Sequence, residues 1–278
     1  MAGKYLAPRK NTPGCRPKGG DPIRDKRRKI ITIALAVLFF LLALGLTVYP
    51  IFSSRYNEAH QSLIHAEYRE AVQALPDTAI PDARAKAQAY NEELWSSIVQ
   101  YGSYSKDSVT SAVEEYAKLL DLTGTGAMGY VHIPKLEVSL PIYHGTEEET
   151  LDRGVGHLIG SSLPIGGSNT HAILTGHSGL ASQKMFSDLD KLEVGDTFYL
   201  EVLNEVLAYE VDQINTVLPH DTTYLGLEEG KDLCTLVTCT PFGVNTHRLL
   251  VRGHRIPYTP ENTENPAIEL AETEESVD

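Results

Sequence analysis

A chain of 278 residues, 42% of them hydrophobic and with a net charge of −13, has room for one or two domains. The charge is unevenly spread: residues 1–29 hold ten Lys and Arg against Asp21 and Asp25, residues 30–50 hold none, and residues 51–278 therefore carry −21. So acidic a body sets nucleic acid aside as a partner, because phosphate binding needs a cationic face.

Residues 30–50 form a run of 21 residues, apolar apart from Thr32 and Thr47. At about 1.5 Å per residue a helix of that length spans the roughly 30 Å hydrocarbon core of a bilayer. Residues 26–29 abut it with four cations, and the positive-inside rule then puts residues 1–29 in the cytoplasm and everything later outside. A cleaved signal peptide is the alternative, but the run is long for one and no small-x-small cleavage site follows it. The expectation is a single-pass signal anchor in the cell membrane.

Beyond the span, residues 51–98 read as a helical stalk, with helices over 53–75 and 82–98 rich in Ala, Glu, Gln and Leu and punctuated by Pro76 and Pro81. Residues 99–126 are a Tyr/Ser/Gly stretch, a helical piece around 113–120, and then Gly124 and Gly126. From residue 127 the texture changes to short β-type runs between turn residues, predicted near 129–133, 137–143, 157–160, 170–175, 196–203, 206–217, 233–239 and 248–256. Among them Phe198, Leu200 and Val202 alternate with Tyr199, Glu201 and Leu203, and Asn204-Glu205 is the expected turn. Eight short strands in about 130 residues point to a closed or nearly closed, antiparallel-rich barrel over 127–256. Residues 257–278 hold seven acids, three prolines and no Lys or Arg, a composition expected to be disordered.

Cys15 falls on the cytoplasmic side, while Cys234 and Cys239 are five apart in a predicted strand, so they face opposite ways and are not expected to bridge. An extracytoplasmic protein with free thiols invites a chemical role for one of them. Cys239 ends the run Thr235-Leu236-Val237-Thr238-Cys239 and is followed at once by Thr240-Pro241-Phe242-Gly243, which places its thiol at a strand end facing a loop. A buried structural cysteine is the alternative. A nucleophilic thiol needs a proton acceptor, and acyl transfer needs donors for the oxyanion. His177 ends Ile173-Leu174-Thr175-Gly176-His177 as an apolar strand runs into a glycine-flanked turn, and Arg248 opens the last strand. His60 and His65 belong to a stalk helix, where a solvated face is expected. His171, His247 and His254 read as structural or solvent-facing, although the residues alone do not choose His177 over His171.

These segments together resemble the sortase family. Thr235–Cys239 is similar to the TLxTC signature, Leu174-Thr175-Gly176-His177 to the histidine motif, and Arg248 lies nine residues after the cysteine as in that family. The stretch TLVTCTPFGVNTHRLLVRGHR, with Ile133-Pro134 and Leu140-Pro141-Ile142-Tyr143-His144-Gly145-Thr146 upstream, resembles most the class C, pilus-assembling sortases. The resemblance implies a mostly β fold, an eight-stranded sortase-type β-barrel with an N-terminal transmembrane helix and pre-barrel helices. It implies that Cys239 attacks an LPxTG-type sorting signal between Thr and Gly, that His177 is the general acid/base, and that Arg248 positions substrate or stabilises the oxyanion. Thr238 is a candidate supporting residue. The acyl donor would be an LPxTG-bearing pilin or surface protein, the acceptor a pilin lysine or a cell-wall amine. No metal or organic cofactor is expected.

Residues 99–126 occupy the place of the lid that class C members carry before the barrel. They contain no Asp-Pro pair; by spacing Gly102-Ser103-Tyr104 stands where the anchor would be, leaving Tyr104 as the candidate plug and a plain surface loop as the alternative. The acidic tail cannot form the second membrane span that many class C members have. Three other readings are open: a housekeeping sortase with the same three residues, a papain-like protease, and a tethered binding domain. Papain-like enzymes place the cysteine before the histidine, the reverse of the order here.

Overall fold

The computed structural model describes residues 22–101, 116–178 and 184–258, without the side chains of 22–25, 28, 46, 47, 50–64, 66, 67, 98, 100 and 101. Tyr104, half of the expected lid (residues 102–115) and all but the first two residues of the acidic tail lie outside the described residues. The chain divides into two compact units, residues 1–49 and 50–278.

Helix α1 (Pro22–Gln73) runs without interruption from the basic arm through the apolar run into the stalk. In the first unit its apolar side chains are exposed, among them Phe39, Phe40 and Leu41. Among the described residues, no helix is long and apolar enough to cross a membrane, so the anchor at 30–50 remains a proposal. Helix α2 (Ala79–Tyr101) begins two residues ahead of Pro81, because a proline in the first helical turn lacks only an N–H that would have no partner there.

In the second unit the strands close a barrel: β1 (Ala127–Ile133), β2 (Val138–His144), β3 (Val155–His157), β4 (Thr170–Thr175), β5 (Thr197–Val202), β6 (Glu205–Val217), β7 (Asp232–Thr240) and β8 (His247–Ile256). Around the barrel they stand in the order β1-β2-β3-β4-β7-β8-β6-β5, which returns to β1. Pairings are antiparallel except β2–β3 and β4–β7. A short helix α3 (Glu148–Leu151) lies between β2 and β3. Most predicted strand boundaries move by a residue or two, and two of the differences have a backbone cause. Strand β3 was expected at 157–160, but Gly160 adopts φ +88°, a left-handed turn conformation that no strand continues through. The β5–β6 turn is Leu203-Asn204, with φ +52° and +61°, a two-residue hairpin loop one position earlier than expected.

Strand alternation sorts the side chains into two apolar clusters. Cys234, Leu236, Leu174, Leu249 and Val251 point inward with Phe198, Leu200 and Tyr209. Ile173, Val217, Val237 and Leu250 point outward and form a separate cluster with Leu158 and Leu225. The stalk packs on the barrel from outside. Ala83, Ala87 and Asn91 recur on one face of α2 and are buried; Asn91 accepts from the Leu163 N–H at 2.7 Å and donates to the Leu163 carbonyl at 3.2 Å. On α1, Tyr68 and Val72 meet Ala127, Tyr130 and Tyr143.

His65 departs from the solvated position expected for it. It is 9% exposed and donates to Glu201 Oε2 at 2.9 Å, while His132 approaches the same oxygen at 3.2 Å. Desolvation lowers His132 below its ordinary range. Burial alone would raise the Glu201 carboxyl, but the hydrogen bonds from His132 and His65 overcome it and hold the group well below the usual carboxylate range.

Candidate functional site

Cys239 lies one residue from the end of β7, where it is partly exposed, and both Cys234 and Cys239 are free thiols as expected. In the β7–β8 ladder Cys239 stands directly opposite Arg248, and directly paired residues of antiparallel strands project from the same face with Cβ atoms about 5 Å apart. The face is the outer one, because Cys239 shares the parity of Val237, and Arg248 that of Leu250.

His177 is brought to the same place by the parallel β4–β7 pairing. Thr175 is opposite Val237, and continuing that register two residues sets His177 level with Cys239. The chain past the strand end is held there by two bonds: the Gly176 N–H donates to the Val237 carbonyl at 3.0 Å, and the buried Thr238 hydroxyl donates to the Gly176 carbonyl at 2.8 Å. A further bond from the Phe186 N–H to the His177 carbonyl, 3.0 Å, ties the far side of the turn. Glycine is required at 176 because a Cβ there would stand 2.7 Å from the Phe186 ring. Thus three strand ends, β4, β7 and β8, deliver a thiol, an imidazole and a guanidinium to one rim of the barrel.

The Arg248 guanidinium donates to the carbonyls of Asn245 and His247 at 3.3 and 3.1 Å, so backbone of the β7–β8 loop steadies it without neutralising it. The outward cluster Ile173, Val217, Val237 and Leu250 continues the same face away from the rim. These side chains are buried beneath Leu158 and Leu225 and give the rim a packed apolar backing. The described cavity of about 570 Å³ lined by Arg84, Trp95, Asp232 and Arg255 is elsewhere: Asp232 begins β7 and Arg255 closes β8, so it belongs to the opposite pole.

The structure also separates the rival histidines. His171 is buried, its ring nitrogens engaged with the Gly226 carbonyl at 2.8 Å and the Thr235 hydroxyl at 2.7 Å. His254 pairs with Leu233 at the far pole. His247 is one residue beyond the Cys239–Arg248 pair, with Nδ1 2.9 Å from the Thr246 hydroxyl. Sequence reasoning missed Asp152, which follows α3 and places Oδ1 3.8 Å from His177 Nε2. Nothing in its surroundings, an acidic run at 147–149 and Thr150-Leu151, distinguishes it from a solvated loop.

A family model described as a sortase domain matches residues 131–256. Sortase D of Bacillus subtilis is 32% identical over 160 residues, which is 56% of this chain and 77% of that one. Sortase C1 of Streptococcus agalactiae, solved by crystallography, is 46% identical, covers 70% of this chain and 99% of its own, and superposes with a TM-score of 0.65. Sortase C of Streptococcus pneumoniae is 43% identical over 70% of this chain and 97% of its own, with a TM-score of 0.62; its structure bears on catalysis and pilin substrate specificity.

Proposed function

The chain belongs to the sortase family of cysteine transpeptidases, and from that premise we propose that it is a membrane-anchored, pilin-polymerising member in which Cys239, His177 and Arg248 carry the reaction. The thiolate of Cys239 attacks the Thr–Gly carbonyl of an LPxTG-type signal. The developing oxyanion is met by the Arg248 guanidinium, a fixed cation with several donors. Collapse of the tetrahedral intermediate breaks the C–N bond, and His177 gives its proton to the departing glycine amine. The acyl group is then a thioester on Cys239. A lysine amine of another pilin attacks it, His177 takes that amine's proton, and the isopeptide product leaves with the thiol regenerated. Position supports each role: Cys239 and Arg248 are cross-strand partners, and the β4 register continued past Thr175 brings His177 level with them.

The single observation that carries this reading is the pairing of Cys239 with Arg248 on the face where the β4 turn brings His177. The pilus class is supported by the likeness to class C sortases. Residues 99–126 are proposed to cover the groove as a lid with Tyr104 as its plug. Residues 30–50 are proposed to anchor the chain with residues 1–29 inside the cell.

The test mixes the full chain, in detergent micelles, with an LPxTG-bearing pilin and follows covalent products by denaturing gel and mass spectrometry. A ladder of isopeptide-linked pilins that disappears with Cys239→Ala is the expected result. Transfer only to a small glycine-type amine would indicate instead a housekeeping enzyme that joins surface proteins to the cell wall. Absence of any thioacyl adduct on Cys239 would sink the mechanism.

A further inference from the structure

Away from the groove, three buried side chains from three separate elements bring ligand-type atoms together. They are His65 on α1, His132 on β1 and Glu201 on β5, 9%, 2% and 8% exposed. Glu201 Oε2 stands 2.9 Å from His65 Nε2 and 3.2 Å from His132 Nε2, and one ligand atom from each residue lies within 4.8 Å of the other two. Ligands about 2.0–2.1 Å from a tetrahedral zinc ion are roughly 3.3 Å from one another. Two of the three edges already have nearly that length, and modest rotation of one imidazole supplies the third.

We propose that His65, His132 and Glu201 form a binding site for one divalent transition-metal ion, zinc by preference, that staples α1 to the barrel wall. Two imidazoles and one carboxylate suit a borderline ion, whereas calcium and magnesium favour all-oxygen sets. The second carboxylate oxygen or a water completes the coordination. The Tyr130 ring, 4.4 Å from that of His65, walls one side. Arg69 guards the other, with its side chain 34% exposed and Nε 3.4 Å from Glu201 Oε1; it marks the route by which an ion enters.

Two features limit the affinity and make the proposal testable. The Arg69 charge opposes a cation, so it must swing outward when one binds. His132 Nδ1 has no hydrogen-bond partner among the described residues, so ligation through Nε2 leaves the ring's remaining proton on an unsupported nitrogen. Metal-bound histidines ordinarily have that proton accepted, and losing such support costs about 10–100-fold in affinity. Binding in the micromolar range is expected, weaker than in a thiolate-rich structural site.

The experiment takes the full chain carrying Cys239→Ala, strips it of metal in detergent, and titrates zinc against a chromogenic chelator. Far-UV circular dichroism checks that each variant is folded. One zinc ion per chain is expected, held at least about 10-fold more weakly after His65→Gln, His132→Gln or Glu201→Gln. Arg69→Gln should tighten binding several-fold by removing the competing charge. Cobalt in place of zinc should give d–d bands without a thiolate charge-transfer band. No uptake, or uptake unchanged in the ligand variants, would overturn the site. A thiolate band would do the same, because it puts the ion on Cys15 or Cys234. If the ligand variants do not fold, Arg69→Gln decides alone: tightening supports the site and unchanged affinity overturns it.

Discussion

The Cys234 thiol is enclosed within the barrel, where burial first and the nearby Asp232 second push its ionisation well above the ordinary range, while Cys239 reaches solvent on the other face. A small electrophile should therefore label Cys239 in the folded chain and leave Cys234 untouched until denaturant is added, as peptide mass mapping would show. Labelling of both at equal rates would mean that the barrel interior is open. The Thr238 hydroxyl holds the Gly176 carbonyl and so the entry to the histidine turn. Thr238→Val should cost about 1 kcal/mol of stability and lower turnover about tenfold, in line with the sensitivity of catalysis to small misplacements; KM should change little. The strand-end positions of Cys239, His177 and Arg248 were legible in sequence because each ends or begins an apolar run at a turn, whereas their choice as a set rested on the family resemblance. His65 was not. Its burial depends on Glu201, which lies 136 residues further on, and helical periodicity carries no information about such a partner.

At the scale of elements, the strands were readable because alternation and turn residues mark them locally, and the predicted and observed ranges differ by a residue or two except at β3. That strand is only three residues long and pairs in parallel with β2, so its place is set by neighbours rather than by its own composition. The docking of α2 is likewise tertiary. Asn91 looks like any polar helix residue, yet its amide caps both backbone groups of Leu163. Asn91→Ala strands a buried donor and acceptor and should destabilise the fold by about 2 kcal/mol, read as a lower midpoint in denaturant with activity per folded molecule unchanged. A shift below a few tenths of that size would mean that water replaces the amide.

For the molecule as a whole, acid is the expected weakness. Desolvation pushes the wholly buried His157 imidazole from its ordinary 6.5 down to about 4, and it lowers His144 and His171 as well. Between those values the unfolded chain binds a proton that the folded chain refuses. Stability is therefore complete above about pH 6.5 and is lost as the pH falls toward 4, by roughly 3 kcal/mol for His157 alone. Thermal melts from pH 7.5 to 4.5 should show this limb, and a folded His157→Gln variant should show a shallower one. A further consequence lies in the strand order. The last strand, β8, is inserted between β6 and β7, so a chain that lacks it has two open sheet edges and no closed barrel. The same strand brings Arg248 to Cys239. A molecule truncated before residue 247 therefore keeps Cys239 and the upstream His177 but lacks the guanidinium that stands opposite the thiol.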